Sequence, residues 1–262
     1  MTTQEENEIN ASACLGLVGA RGRMGTLLAG RAVAAGRRVV GLDLASGSDR
    51  LAPEELPRLR DCGVVLLCVP VPALDTVLAD VVPHLAEDAI LADICSVKVL
   101  PMRRMRRAWK GSVVGTHPLF GPVIPEGFAP RVAVTPGPGA DPALVNALFT
   151  DMGFEPFLST PEEHDRAVAY VQGLNFISTV AHLAAMRQVS GIEKYLTPSF
   201  QRRLDSARKM LTEDTDLFET ISESNPHLQE TVRQFTGFLN IAAGGDLDLL
   251  SEHARWWWRS ES

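Results

Sequence analysis

The chain has 262 residues, 45% of them hydrophobic and 22% charged, with a formal net charge of -7. These proportions suit a soluble globular protein, and the acidic balance supplies no uniform basic face, which argues against nucleic acid as a partner. No apolar run approaches the ~20 residues of a membrane span, and the polar segment Met1–Ser12 has no apolar stretch of the signal-peptide kind.

That segment is expected to be a disordered tail, residues 1–12. From Cys14 onward short apolar runs alternate with helical patterns. Strands are predicted at Leu15–Val18, Arg38–Asp43, Val64–Val69, Ile90–Asp93, Ser112–Gly115 and Arg131–Thr135. Uninterrupted runs such as Val64-Val-Leu-Leu-Cys-Val69 suit strands covered on both faces, as a parallel sheet requires. Helical spacing marks Met24–Ala35, Pro72–Leu85 and Pro142–Met152. The fold class is therefore α/β, a Rossmann-type doubly wound sheet over residues 13–159. Cys14, Cys62, Cys68 and Cys95 sit in or beside apolar runs without C-x-x-C spacing, so they read as buried thiols of a reduced, cytoplasmic protein.

The pattern changes at Ser159-Thr-Pro-Glu-Glu163, where Thr160 as N-cap, Pro161 at the first helical position and Glu163 at the third announce a helix. That helix is expected to run to about Val189, with apolar residues around much of its circumference. From there to Trp258 only helical periodicity follows. Residues 160–262 thus read as an all-helical domain that binds substrate and completes its core against a second copy, giving a homodimer. Trp256-Trp-Trp258 is expected to pack on this domain or on the partner, because exposing three indoles is costly.

Chemistry gathers in the first domain. Gly19-Ala20-Arg21-Gly22-Arg23-Met24-Gly25 follows the first strand and opens the first helix, the context of a dinucleotide loop. Glycines let backbone approach a pyrophosphate, and a helix N-terminus favours its charge. The spacing is G-x-x-G-x-x-G, and a lone glycine triplet can equally serve a tight turn. Asp43 lies 18 residues beyond Gly25 and can accept from both adenosine ribose hydroxyls, so NAD is favoured over NADP. Arg21 and Arg23 keep a 2′-phosphate open, and Asp43 could instead cap its loop with Ser46 and Ser48. Val69 and Pro70, after the third strand, are expected along the cofactor.

Of six histidines, His84, His182, His227 and His253 lie in helix ends, an apolar helix or polar stretches. His117 differs, since Gly115-Thr-His-Pro-Leu-Phe-Gly-Pro122 places it between a strand and a rigid turn, where a base meets a bound cofactor. Ser96 ends the Ile90–Asp93 strand and either reaches the imidazole or the substrate, or caps a helix beginning near Val97. Lys98 either supplies charge to the site or is solvated. The basic run Met102-Arg-Arg-Met-Arg-Arg107 spreads its charges around a helix and reads as a solvated face.

Together, Gly115–Pro122 and Asp93-Ile-Cys-Ser-Val-Lys98 resemble the prephenate dehydrogenase family, over most of residues 14–222. The resemblance implies oxidation of a small anionic cyclohexadienyl substrate by hydride transfer to a nicotinamide, with loss of carbon dioxide and aromatisation. His117 would take the hydroxyl proton, and Ser96 would orient both groups. Glu163-His164-Asp165 resembles the family's entry to the helical domain and makes His164 a substrate-binding candidate. Where relatives grip a carboxylate with an arginine, an ungapped match puts Lys209, with Arg208 beside it. Where many carry a histidine, Gln172-Gly-Leu-Asn-Phe176 has Phe176, which is either core packing or part of the pocket. Replacing a cationic neighbour by Phe would suit 4-amino-4-deoxyprephenate; arogenate is a third candidate. A β-hydroxyacid dehydrogenase would need a lysine within Ala167–Ser178, and dihydrodipicolinate reductase a histidine-rich motif; neither is present. A cofactor-sensing regulator without turnover is the reading from a different class. No metal is expected, nor a regulatory domain after Ser262.

Overall fold

A computed structural model describes residues 14–45, 48 and 50–261, with side chains as far as Trp258. The expected tail and the capping partner Ser46 lie outside the described residues. Contacts divide the chain into two units: residues up to Asp165 together with Glu219–Asn225, and Arg166–Phe218 together with the segment from Pro226. The division falls after Asp165 rather than near residue 159, and one short helical segment returns to the first unit.

Among the described residues the first unit is built on seven strands: β1 (Cys14–Val18), β2 (Val39–Leu42), β3 (Cys62–Leu67), β4 (Ile90–Asp93), β5 (Val113–Pro118), β6 (Arg131–Pro136) and β7 (Glu155–Leu158). Their order is β2-β1-β3-β4-β5-β6-β7, parallel throughout except for the antiparallel β5–β6 pair. Alternate residues serve opposite faces. Val18, Val65 and Leu67 enter one buried cluster, whereas Leu15, Leu17, Val64 and Leu66 enter another. Both faces being covered is why these strands read as continuous apolar runs. Helix α1 (Arg23–Ala34) buries Leu28 and Ala32, α2 (Leu74–Val81) buries Leu74, Val77 and Leu78, α3 (Val99–Ala108) buries Met102 and Met105, and α4 (Ala143–Asp151) buries Val145, Leu148 and Phe149. Fully burying a side chain of this size stabilises by about 1.5–3 kcal/mol before the entropy of ordering it is subtracted.

Two features of the sheet escaped the sequence. Strand β7, Glu-Pro-Phe-Leu, lies at the edge with Phe157 and Leu158 exposed, so it lacks the apolar run that marked the others. Strand β6 runs antiparallel because residues 119–130 return it beside β5 without a crossover helix. All four cysteines are free thiols; Cys14, Cys62 and Cys95 are buried, and Cys68 is half-buried. Among the described residues no helix is long and apolar enough to cross a membrane.

The helix start at residue 160 forms as its sequence dictates. Thr160 Oγ1 accepts from the Glu163 amide at 3.2 Å, and Glu163 Oε2 accepts from the Thr160 amide at 3.0 Å, a reciprocal capping box. Helix α5 (Pro161–Val168) then continues through a π-helical turn, Ala169–Leu174, into α6 (Asn175–Met186). The second unit continues with α7 (Pro198–Thr212), then α8 (Thr215–Ser224), whose later residues return to the first unit, α9 (Leu228–Ala243) and α10 (Leu247–Ala254). Inside the π turn, a Cβ at Gly173 would stand 2.6 Å from Leu228 Cδ1, so glycine permits the close approach of α9. The expected burial of the long helix on several sides is absent within one chain: only Thr179 of α6 is buried, and Val180 and Val189 are exposed. Trp256, Trp257 and Trp258 are 59%, 70% and 62% exposed, so they do not pack into the unit either.

Candidate active site

Strands β1, β3, β4 and β5 are mutually parallel, so their carboxyl ends lie along one edge of the sheet. Gly19 follows β1, Val69 and Pro70 follow β3, Ser96 follows β4, and His117 is the penultimate residue of β5. A cavity of about 400 Å³ opens there, lined by Gly19, Gly22, Asp43, Leu44, Val69 and Pro70 among others. Gly19 has φ +85°, and a Cβ on it would lie 2.5 Å from the Cys68 carbonyl oxygen; a Cβ on Gly25 would collide with Gly19 O. Both positions therefore require glycine. Ala20, Arg21, Arg23 and Met24 complete the turn and the start of α1, which no side chain caps.

Asp43 directly follows β2, whose last residue is Leu42. Its Oδ2 accepts from the Arg21 amide at 2.7 Å and its Oδ1 from the Leu44 amide at 3.0 Å. The Arg21 guanidinium donates to Leu44 O at 2.7 Å and lies 3.6 Å from the Asp43 carboxylate. Ser48, the second partner considered for an Asp43 cap, instead accepts from the Arg50 amide.

His117 is a strand residue rather than a residue of the turn beyond, and it is buried at 4% exposure. Its Nδ1 lies 2.9 Å from His164 Nε2, and His164 Nδ1 lies 2.8 Å from Asp165 Oδ1. Among the described residues, nothing hydrogen-bonds to His117 Nε2. Burial, then the neighbouring His164, then the Lys98 ammonium push His117 well below the ordinary imidazole range. Burial also lowers His164, opposed by its hydrogen bond to Asp165. His117 is therefore held as the neutral imidazole, with its Nε2 unbonded. Both nitrogens of His164 are engaged by protein, so it meets His117 rather than holding a ligand directly.

Lys98 is not solvated. It is fully buried, with Nζ 2.5 Å from Asp93 Oδ2 and 2.6 Å from Thr116 O. Asp93 Oδ2 also accepts the Cys95 amide, whereas Asp93 Oδ1 is buried with no hydrogen bond. Nor does Ser96 cap a helix. The first turn of α3 begins at Val99, and the Lys98 and Val99 amides donate to Asp165 at 2.6 and 2.8 Å. Ser96 stays half-buried, its hydroxyl without a hydrogen bond among the described residues.

The other candidates belong to the helical unit. Gln172 lies in the π turn with a buried, unbonded Oε1. Phe176 stacks on Phe218, ring centroids 4.8 Å apart and planes 6° from parallel. Arg208 is exposed on α7, and the neighbouring Lys209 pairs with Asp214 at 3.1 Å. Sequence reasoning missed Asp165 as a bonding partner, the Lys98–Asp93 pair and the Phe218 partner. Only Asp165 had a signal, its place beside His164.

Residues 24–129 match the family described as "Prephenate dehydrogenase, nucleotide-binding domain". The chain is 31% identical over 166 residues to a 4-amino-4-deoxyprephenate dehydrogenase of Streptomyces pristinaespiralis, covering 62% of this chain and 54% of that one. It is 28% identical over 237 residues to a cyclohexadienyl dehydrogenase of Zymomonas mobilis, covering 78% and 76%. Its fold is that of the A. aeolicus prephenate dehydrogenase solved in complex with hydroxyphenyl propionate and NAD+, with TM-score 0.71, 20% identity and 93% and 95% coverage. The chain spans only 41%, 57% and 66% of the lengths of three other curated relatives it matches.

Proposed function

Starting from a nucleotide-binding domain of the prephenate dehydrogenase family, we propose that this chain is an NAD-linked dehydrogenase. Its reaction is the oxidative decarboxylation of a prephenate-like cyclohexadiene to an aromatic product. The observation that carries the reading is His117: a buried, neutral imidazole with one unbonded nitrogen, on the same sheet edge as a glycine-built cavity. The lining of the cavity suits the ribose and phosphate of a dinucleotide. Gly19, Gly22 and Gly25 let backbone come close to a pyrophosphate, and the uncapped start of α1 offers its first amides. Asp43, in the lining of that cavity, would accept from the ribose hydroxyls and repel a 2′-phosphate. Arg21 is already bonded to Leu44 O beside that carboxylate, which supports NAD over NADP.

When bound, the nicotinamide supplies the hydride acceptor. His117 Nε2 removes the proton of the substrate's C4 hydroxyl, so that C4 can become a carbonyl carbon as hydride leaves. Loss of the ring carboxylate as carbon dioxide then gives the aromatic ring. General-base assistance of this kind contributes about 10²–10⁴-fold in rate, and the burial that keeps His117 neutral keeps it able to accept. Ser96, whose hydroxyl is uncommitted, orients the substrate's hydroxyl. In the helical unit Arg208 and Lys209 are the cations offered to an anion, Lys209 after release from Asp214. Gln172 offers its unbonded carbonyl oxygen to a donor.

A second reading, with an amine at C4, rests on the resemblance, in which many relatives carry histidine at Phe176; here that ring stacks on Phe218. The exposed apolar side chains of the helical unit, Phe238, Leu239 and the three tryptophans among them, support a homodimer. The test is NADH appearance with prephenate, arogenate and 4-amino-4-deoxyprephenate at equal concentrations. His117→Ala is expected to abolish most turnover with any of them while leaving NAD binding intact. Near-normal kcat in that variant would reject His117 as the base; NAD binding with no turnover of any of the three by the wild type would favour a regulator that senses the cofactor.

A further inference from the structure

The Asp165 carboxylate is an acceptor on both oxygens, Oδ1 taking the Lys98 amide and Oδ2 the Val99 amide. The 2.8 Å contact to His164 Nδ1 therefore has the imidazole as donor. A neutral His164 with its proton on Nδ1 has only a lone pair on Nε2. The 2.9 Å contact to His117 can then be made only if His117 Nδ1 donates. One carboxylate thus dictates the proton positions on two rings. We propose that His164 and Asp165 are positioning residues that hold His117 in the tautomer with its proton on Nδ1 and its lone pair on Nε2, facing the reacting hydroxyl. The assignment rests on the reading of His117 as the base and adds what makes it one, since the opposite tautomer would present an N–H to the substrate and could not accept.

The arrangement is rigid. Asp165 is fully buried and its carbonyl oxygen accepts from Asn225 Nδ2 at 2.8 Å, so it is held at main chain and side chain alike. His164 is 5% exposed and meets His117 edge-on, ring planes 68° apart. The charged and titratable groups around His117 are His164 and Asp165 from α5, Lys98 from the segment before α3, and Asp93 from β4. The alternative proton pattern needs a cationic His164 that donates from Nε2, and both burial and the Lys98 ammonium oppose that cation. After the base has taken its proton, His117 Nδ1–H points at His164 Nε2, so positive charge spreads toward the Asp165 carboxylate.

The experiment is nitrogen NMR of the full chain labelled in histidine, which reads imidazole tautomers directly, paired with steady-state kinetics. In the wild type, the His117 signals, identified by their loss in His117→Gln, should show a protonated Nδ1 and a bare Nε2. A wild-type His117 protonated on Nε2 overturns the proposal without any other variant. His164→Leu removes the acceptor; the tautomers of His117 should mix, and kcat should fall on the order of 10²-fold, the low end of a base's contribution. KM for NAD should not change. His164→Gln, whose carbonyl oxygen can still accept from Nδ1–H, should restore the tautomer and most of kcat. An unchanged tautomer and kcat in His164→Leu also overturns the proposal. The expected tautomers in a protein that turns over none of the three substrates would uphold the relay and reject the dehydrogenase reading.

Discussion

The sheet unit and the helical unit solve burial differently. In the first, strands and helices enclose two clusters in which Leu17, Val18, Leu66, Leu67, Leu91 and Phe149 have no exposed surface. In the second, buried apolar residues are few, Val168, Ala169, Ala207 and Leu228 among them, while Val171, Phe238, Leu239, Leu247 and Leu249 are open. A doubly wound sheet closes its own core, because each crossover lays a helix back on it. The helices of the second unit leave much of their apolar surface open within one chain. The sheet unit can therefore afford a buried charge pair and a buried imidazole pair, whose surroundings its own chain supplies.

Lys98→Met should break this comparison most severely. It leaves the fully buried Asp93 carboxylate unpaired, and removing one partner of such a pair costs about 3–5 kcal/mol. Denaturant unfolding should show that loss, and Asp93→Asn added to it should recover part, since no uncompensated charge then remains. Equal stability of Lys98→Met and wild type would mean that the pair is not buried in solution.

Acid should act next. His117 and His164 both have folded-state values below the ordinary 6.5, so below that pH the unfolded chain binds more protons than the folded one. Their contribution is fully present above pH 6.5 and is lost as pH falls from there toward the folded-state values. The slope is about 1.4 kcal/mol per pH unit for each imidazole. Urea midpoints taken from neutral to mildly acidic pH should fall accordingly, and His164→Gln should flatten the curve. A flat wild-type curve would place these rings in water.

The smallest effect concerns the helical unit. If a second copy covers its open face, each tenfold dilution should cost about 1.4 kcal/mol of apparent stability, seen as a falling thermal midpoint. Replacing Trp256, Trp257 and Trp258 by serine should weaken that dependence. A midpoint independent of concentration would leave the helical unit stable with its apolar residues in water.

How much was legible follows from the range of each interaction. The capping box at Thr160 and Glu163 is spelled within four residues and forms as read. The glycine turn is equally local: Gly19 needs positive φ, and Gly25 needs to lie close to Gly19. The N-cap alternative for Ser96 failed, since the amides it could have capped are taken by Asp165, 67 residues beyond Lys98. Strand β7 was invisible because an edge strand needs no apolar run.

By itself the sequence determined the doubly wound sheet, the cofactor turn, the helix start and His117 as the candidate base, all through periodicity or short motifs. Only the tertiary structure decided that Lys98 is buried against Asp93, that Phe176 lies on Phe218, and that His164 stands behind His117 with Asp165 behind it. Those contacts join residues with no fixed spacing, and their chemistry depends on the exclusion of water, which a chain acquires only by folding.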